Sequence, residues 1–156
     1  MCKYDVVIIG SGFAGSEAAM ASARNGAMTL MISINMDIIA DMPFGNMLGI
    51  KEYRELLVKI EKYGSAVPQN IRKNSLIKVK ENGYTKNNIS GSTIVDRKRY
   101  SLGMKELIEN TDNLDIRQGL VTDIIIKEKG FDIVTSDYLK YSADAAVLCT
   151  GTYLNS

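Results

Sequence analysis

Asp5-Val6-Val7-Ile8-Ile9-Gly10-Ser11-Gly12-Phe13-Ala14-Gly15-Ser16-Glu17-Ala18-Ala19 decides the fold. Asp5 to Ile9 form a short apolar, β-branched run, which is a strand pattern. Ser16 to Arg24 are rich in strong helix formers. Between them lies the glycine pattern Gly10-Ser11-Gly12-Phe13-Ala14-Gly15. Each glycine has a physical task in such a unit. Gly10 allows the tight turn off the strand, Gly12 leaves room for a pyrophosphate to approach the backbone, and Gly15 lets helix and strand pack closely. The helix N-terminus adds unpaired N–H groups and the positive end of its dipole. Strand, glycine turn and helix in this order predict a dinucleotide-binding unit.

Working outward, the helix is expected over Phe13 to Asn25, with Asn25-Gly26 as its stop. Ala14, Ala18, Ala19 and Ala23 suit close packing on a sheet. A second strand over Met28 to Ser33 completes a β-α-β unit. At the end of that strand many such units carry an acid that binds the adenosine ribose. Ser33 stands there instead. A serine can hydrogen-bond a ribose without repelling a 2′-phosphate, so this rule alone leaves FAD, NAD and NADP open. A plain turn begun by Ser33 with Asn35 is the alternative.

The bulk properties set limits. A chain of 156 residues fits one domain and buries about 70% of its unfolded surface. A formal net charge of +1 gives no long-range field toward nucleic acid or membrane. The N-terminal apolar run is too short for a signal peptide, and no stretch reaches membrane-spanning length. A reducing cytoplasm is the expected location. With two cysteines and no histidine, zinc sites and His-dependent catalysis are excluded as expectations, and no metal is expected. Cys2 and Cys149 belong to opposite ends of neighbouring strands, roughly 20 Å apart, beyond disulfide reach.

The remaining chain reads as follows. Asn35 to Asn46 is a loop with a short helical turn at Asp37 to Ala40. Met42 to Gly49 is apolar and broken by Pro43 and two glycines; it faces a ligand or is simply a buried loop. Lys51 to Tyr63 is an amphipathic helix with Tyr53, Leu56, Leu57 and Ile60 on its apolar side. Residues 65–93 form an irregular segment with a strand at Ser75 to Lys80, and Lys86 to Ser92 are exposed. Arg72, Lys73, Lys78, Lys80 and Lys86 make it locally basic, as a solvated surface or an RNA contact. Asp96 caps a helix to Asn110 whose stripe is Tyr100, Met104, Leu107 and Ile108, with Gly103 an unfavourable interior residue. Arg97-Lys98-Arg99 in its first turn oppose the dipole and suggest an anionic neighbour. Leu114 to Arg117 is a strand. Leu120 to Lys127, Phe131 to Ser136 and Tyr138 to Tyr141 form a small antiparallel meander. Ala145 to Cys149 is a separate central strand, expected to be buried on both faces and to end at Thr150-Gly151. The fold class is α/β: a Rossmann-like FAD/NAD(P)-binding domain over 1–156, a parallel sheet with helices on both sides plus the meander.

These residues together resemble the glucose-inhibited division protein A (GidA/MnmG) family of FAD-dependent oxidoreductases, flavoproteins of tRNA wobble-uridine modification. The resemblance rests on Asp5 to Ala19, on Thr29 to Asp37 with its uncharged Ser33, on Val95-Asp96-Arg97-Lys98-Arg99-Tyr100, and on Ala146 to Leu154. It implies FAD as cofactor, with NADH or NADPH as reductant. Gly10, Ser11, Gly12, Phe13, Ala14 and Gly15 would take the pyrophosphate. Ser33 and Asn35 would face the ribose, the Val121 backbone would approach the adenine, and Thr150 and Gly151 would lie against the cofactor.

There are departures. The family's catalytic cysteine after the second strand has no counterpart in Met42 to Gly49, and the family's second dinucleotide domain and tRNA-binding domain are not matched. No redox acid, base or nucleophile is assigned, so the catalytic residues are unknown. Three functions follow: a flavin enzyme or the flavin-binding portion of one, a non-catalytic dinucleotide module or partner subunit, and a tRNA-contacting accessory. A folate-dependent tRNA methyltransferase ranks lower, because that family keeps an acid where Ser33 stands. A homodimer or a partner chain would shield the flavin.

Overall fold

The structure is a computed structural model that describes residues 3–42, 47–48, 51–78 and 93–151. Its elements are β1 (Lys3–Ile9), α1 (Phe13–Arg24), β2 (Thr29–Ser33), a 3-10 turn (Met36–Ile38), β3 (Met47–Leu48), α2 (Lys51–Lys62), α3 (Val67–Lys73), β4 (Ser75–Lys78), β5 (Thr93–Val95), α4 (Arg97–Glu109), β6 (Leu114–Gln118), β7 (Val121–Ile126), β8 (Phe131–Thr135) and β9 (Lys140–Leu148). They divide into two compact units, Met1–Ala40 with Glu106–Ser156, and Asp41–Lys105.

The first unit is built on a six-stranded sheet in the order β6-β2-β1-β9-β8-β7. β6, β2, β1 and β9 run parallel, while β8 and β7 continue antiparallel. Apolar, mostly β-branched residues place Val7, Ile9, Leu30, Ile32 and Ile133 in one buried cluster with Tyr4 and Ala143. Each such side chain contributes about 1.5–3 kcal/mol when fully buried. α1 turns Gly15, Ser16, Ala19, Met20 and Ala23 inward, so a small-residue face lies on the sheet. It ends at Asn25, and Gly26 adopts φ 90°. Tyr4 adds a hydroxyl bond to Asp115 Oδ2 at 2.7 Å, which ties the start of β1 to β6.

Two expectations are corrected here. The third meander strand and the last parallel strand are one strand, β9. Its first part, Lys140 to Ala143, pairs antiparallel with β8, and Ser142 to Leu148 pair parallel with β1. Ser142 and Asp144 interrupt the apolar pattern without breaking the strand. Ser142 donates to Asp132 Oδ1 at 2.7 Å, and Asp144 pairs with Lys3 at 2.9 Å. Second, the Ala145–Leu148 half is not buried on both faces: Leu148 is 61% exposed and Val147 38%. β8 begins at Phe131 opposite Ala143, and no described strand flanks β9 beyond that point on this edge.

The second unit carries a three-stranded antiparallel sheet, β3-β5-β4, with α2, α3 and most of α4. α3 was hidden in the irregular stretch. Pro68 sits in its first turn, where a missing N–H does no harm, yet proline in a sequence reads as a break. The α2 stripe is corrected at Leu56, which is 51% exposed while Leu57 is buried. The α4 stripe narrows to Tyr100, Met104 and Ile108, all fully buried at four-residue spacing, and Leu107 falls outside it. Asp96 caps α4 as expected, since its Oδ1 accepts the Arg99 N–H at 3.0 Å. The strand from Ser75 is β4 to Lys78. The Glu81-Asn82-Gly83 turn and the stretch from Lys86 lie outside the described residues.

Candidate functional site

All the residues singled out for a dinucleotide lie in the first unit, at the C-terminal ends of β1, β2 and β9 and at the start of β7. Gly10 leaves β1 with φ +108°, a conformation that L side chains rarely adopt. A Cβ there would stand 2.3 Å from the Cys149 carbonyl oxygen, so the turn lies directly on the end of β9. A Cβ on Gly15 would meet the Gly10 carbonyl oxygen at 2.0 Å, which fixes how closely α1 approaches β1. Gly12 is different: a Cβ built there meets nothing within 4 Å. The first and third glycines are demanded by packing, and the second opens onto unfilled space.

α1 begins at that space. Its N-cap is Gly12, with no side-chain cap and no acidic residue in the first turn. The positive end of the helix dipole therefore meets no protein carboxylate in that turn. The chemistry of this donor set, main-chain N–H groups around a vacated Cβ position, fits a ligand carrying phosphates.

Around this turn, Ser33 is fully buried, and its Oγ lies 2.6 Å from the Ser11 Oγ. Asn35 is exposed, and its Oδ1 accepts the Asp37 N–H at 2.8 Å, so its side chain caps the 3-10 turn. Thr150 is partly buried beside Gly10, and Gly151 is exposed with φ 69°. Val121 packs against the sheet core two residues after Gly119, whose N–H donates to the Ser33 carbonyl at 2.9 Å. Phe13 is partly buried and Ala14 is exposed at the start of α1.

Several participants were not singled out from the sequence. Ser16 Oγ donates to the Ser11 carbonyl at 3.1 Å. Ala40 donates its N–H to the same oxygen at 2.7 Å and holds φ 51°. Ser16 could have been suspected as a hydroxyl in a first helical turn. A backbone angle at an alanine leaves no trace in a sequence. Cys149 is a free, partly buried thiol whose pKa burial pushes above its ordinary range. Cys2 lies outside the described residues.

The three arginines of the basic stretches are paired within the protein. Arg72 pairs with Glu61, Arg97 is bidentate on Asp41 with Nε 2.9 Å from Oδ1, and Arg99 approaches Asp96 at 3.5 Å. The anion suggested by Arg97 is thus Asp41, whose carboxyl the guanidinium hydrogen bond holds below its usual range. Lys80 and Lys86, like residues 43–46 of the apolar loop, lie outside the described residues. Among the described residues no cluster of three or more potential metal ligands exists, and no helix is long and apolar enough to cross a membrane.

A parallel sheet whose first strand runs through a tight glycine turn into the N-terminus of a helix defines a Rossmann-like fold of the kind that binds dinucleotides. Within that class the chain belongs to the glucose inhibited division protein A family, whose model matches residues 5–156. It is 37% identical over 153 residues to the tRNA uridine 5-carboxymethylaminomethyl modification enzyme MnmG of Ligilactobacillus salivarius, covering 96% of this chain and 24% of that protein. The MnmG of Bacillus velezensis is 35% identical over 154 residues, with 97% and 24% coverage. The crystal structure of Aquifex aeolicus GidA superposes with a TM-score of 0.88 at 35% identity, over 98% of this chain and 26% of that one. Halogenase PltM, at 16% identity and a TM-score of 0.68, shares the fold. The chain spans about a quarter of the length of the MnmG relatives.

Proposed function

We propose that this chain binds FAD, as a flavoprotein of its family or the flavin-binding portion of one. The observation that carries the reading is the contrast among the three glycines. Gly10 and Gly15 are filled by backbone, while Gly12 opens at the uncapped N-terminus of α1. Main-chain N–H groups from Gly10 to Gly15 would hold the pyrophosphate. By the family resemblance Ser33 and Asn35 would lie toward the ribose, the Val121 backbone toward the adenine, and Thr150 and Gly151 beside the cofactor. FAD, when bound, would supply the redox chemistry through its ring, with NADH or NADPH as reductant. The chain's own part is to bind the cofactor and orient it.

The relatives named as tRNA uridine modification enzymes support a place for this chain in tRNA wobble-uridine modification in the cytoplasm. There it would act with tRNA as substrate and with a second copy or a partner chain completing the site. A second reading, a non-catalytic dinucleotide module or partner subunit, is supported by two observations. The sequence has no histidine, and Met42 to Gly49 contain no cysteine.

The test is the absorbance spectrum of the purified protein with added FAD, then with NADH under anaerobic conditions. About one flavin per chain, bleached by NADH, supports an oxidoreductase. Bound flavin that stays oxidised supports the binding module. A chain that takes up no flavin refutes the FAD reading.

A further inference from the structure

The end of β2 is the place where an acid reads the ribose in many folds of this class. Here its side chain points elsewhere. Ser33 is fully buried, and its hydroxyl donates to the Asn35 carbonyl at 2.8 Å. A hydroxyl has one proton to give. The 2.6 Å contact with Ser11 must therefore run from the Ser11 hydroxyl to the Ser33 Oγ. The Asn35 N–H, at 3.3 Å, also reaches the Ser33 Oγ. Ser33 thus has both of its roles, donor and acceptor, taken by protein.

The chain of bonds closes on itself. Ser11 gives its hydroxyl proton to Ser33, and Ser33 gives its own to Asn35. Asn35 caps the 3-10 turn, and the chain then reaches Ala40, whose N–H returns to the Ser11 carbonyl. Ser16 Oγ donates to that same carbonyl from α1. Ala40 is fully buried and left-handed at φ 51°, a conformation that costs about 1–3 kcal/mol and persists only where its surroundings impose it.

The ring has a direct consequence for the next N–H of the turn. No peptide bond in the described residues is cis. In a planar trans peptide the C=O and the following N–H point in opposite directions. With the Ser11 carbonyl bonded to the Ala40 N–H and the Ser16 hydroxyl, the Gly12 N–H points the opposite way, away from both partners.

We infer that Ser33 is a positioning residue of the dinucleotide site: its hydroxyl latches the phosphate-binding turn through Ser11 and does not read the adenosine ribose. This rests on the proposal that the turn binds FAD, and it deepens that proposal. The ribose is then left to groups other than Ser33.

The experiment titrates wild type, Ser33→Ala, Ser11→Ala, the double variant and Ser33→Thr with FAD. The same titrations are run with an FAD analogue carrying 2′-deoxyadenosine. Flavin fluorescence reports binding, and a thermal melt of each protein checks folding. Ser33→Ala weakens FAD about five- to tenfold, the usual size for one lost hydrogen bond. It weakens the deoxy analogue by the same factor, so the ratio of the two Kd values stays at the wild-type figure. Ser11→Ala gives the same loss, the double variant adds nothing further, and Ser33→Thr restores affinity. A folded Ser33→Ala with unchanged FAD affinity overturns the inference alone. So does a Ser33→Ala that loses the discrimination between FAD and its deoxy analogue, because Ser33 would then be a ribose ligand. If Ser33→Ala does not fold, Ser11→Ala breaks the same bond and is judged by the same two readouts. Failure of wild type to take up FAD overturns the FAD proposal and this inference with it.

Discussion

Gly12 and Gly15 separate two reasons for a missing side chain. At Gly15 the obstacle is backbone: a methyl would press on the Gly10 carbonyl at 2.0 Å and on the Cys149 Cβ at 3.3 Å. α1 would have to lift from β1, and Gly15→Ala is expected to destabilise the fold by about 1–3 kcal/mol or more, as overpacking does, measured as a lower urea midpoint. Gly12 has φ −69° and ψ −169°, which alanine tolerates, and nothing within 4 Å of the new Cβ. Gly12→Ala is expected to keep the wild-type urea midpoint while losing at least tenfold in FAD affinity, because the methyl enters the phosphate space. Equal FAD affinity for Gly12→Ala and wild type would remove the argument that this space belongs to the ligand. The glycine assignments were readable because spacing and backbone sterics are written in residue types. The inward turn of Ser33 was not, since a sequence names a hydroxyl and leaves its rotamer open. The left-handed Ala40 left no sign at all.

Among the elements, α4 shows how local preference yields to packing. Gly103 in its interior costs about 1 kcal/mol against alanine by helix propensity alone. A Cβ there would stand 2.6 Å from Asn70 Oδ1. Asn70 is buried, donates to the Tyr100 carbonyl at 2.7 Å and accepts from Asn74 at 2.8 Å, so it joins α3 to α4. Gly103→Ala is therefore expected to lower stability despite the better helix former, and Gly103→Ala combined with Asn70→Ala to be less harmful than the sum of the two. Thermal denaturation of the four proteins checks this, and a stabilised single variant would contradict it. Sequence periodicity found α4, and it could not see that Asn70 is the reason for the glycine. The same limit hid the continuity of β9, where Ser142 and Asp144 look like a break until their partners are known. Asp132, across from Ser142, is 7% exposed at its side chain and ion-paired with Lys127. The Lys127 hydrogen bond, then that of Ser142, holds its carboxyl below the usual range. Its contribution to stability is full above the unfolded carboxylate range, about pH 4, and is lost as pH falls through the folded value. Amide protection in β7 to β9, taken as exchange relative to the intrinsic rate at each pH, should fall on acidification below about pH 4 in the wild type. In Asp132→Asn it should change much less with pH.

At the scale of the whole molecule, composition does not say where the apolar residues lie. The continuous apolar run Ala145 to Cys149 reads as a buried strand, and Ile124-Ile125-Ile126 as part of a meander strand. In the structure Ile126 is 78% exposed, Ile125 45%, Leu148 61% and Leu120 56%. β7 is the terminal strand of its sheet, and β9 past Ala143 has a described neighbour on one edge alone. Exposed strand edges carrying apolar side chains are templates for association, and charge on such an edge suppresses it. The isolated chain is therefore expected to bind a hydrophobic dye and to associate with rising concentration in sedimentation velocity. Ile126→Lys should weaken both effects. Its melting temperature should stay near wild type, because so exposed a side chain contributes little packing. A chain that stays monomeric at high concentration and binds no dye would show that these residues are tolerated singly at the surface. An Ile126→Lys variant that associates as strongly as wild type would move the contact away from β7, with the open half of β9 next to be tested by Val147→Lys.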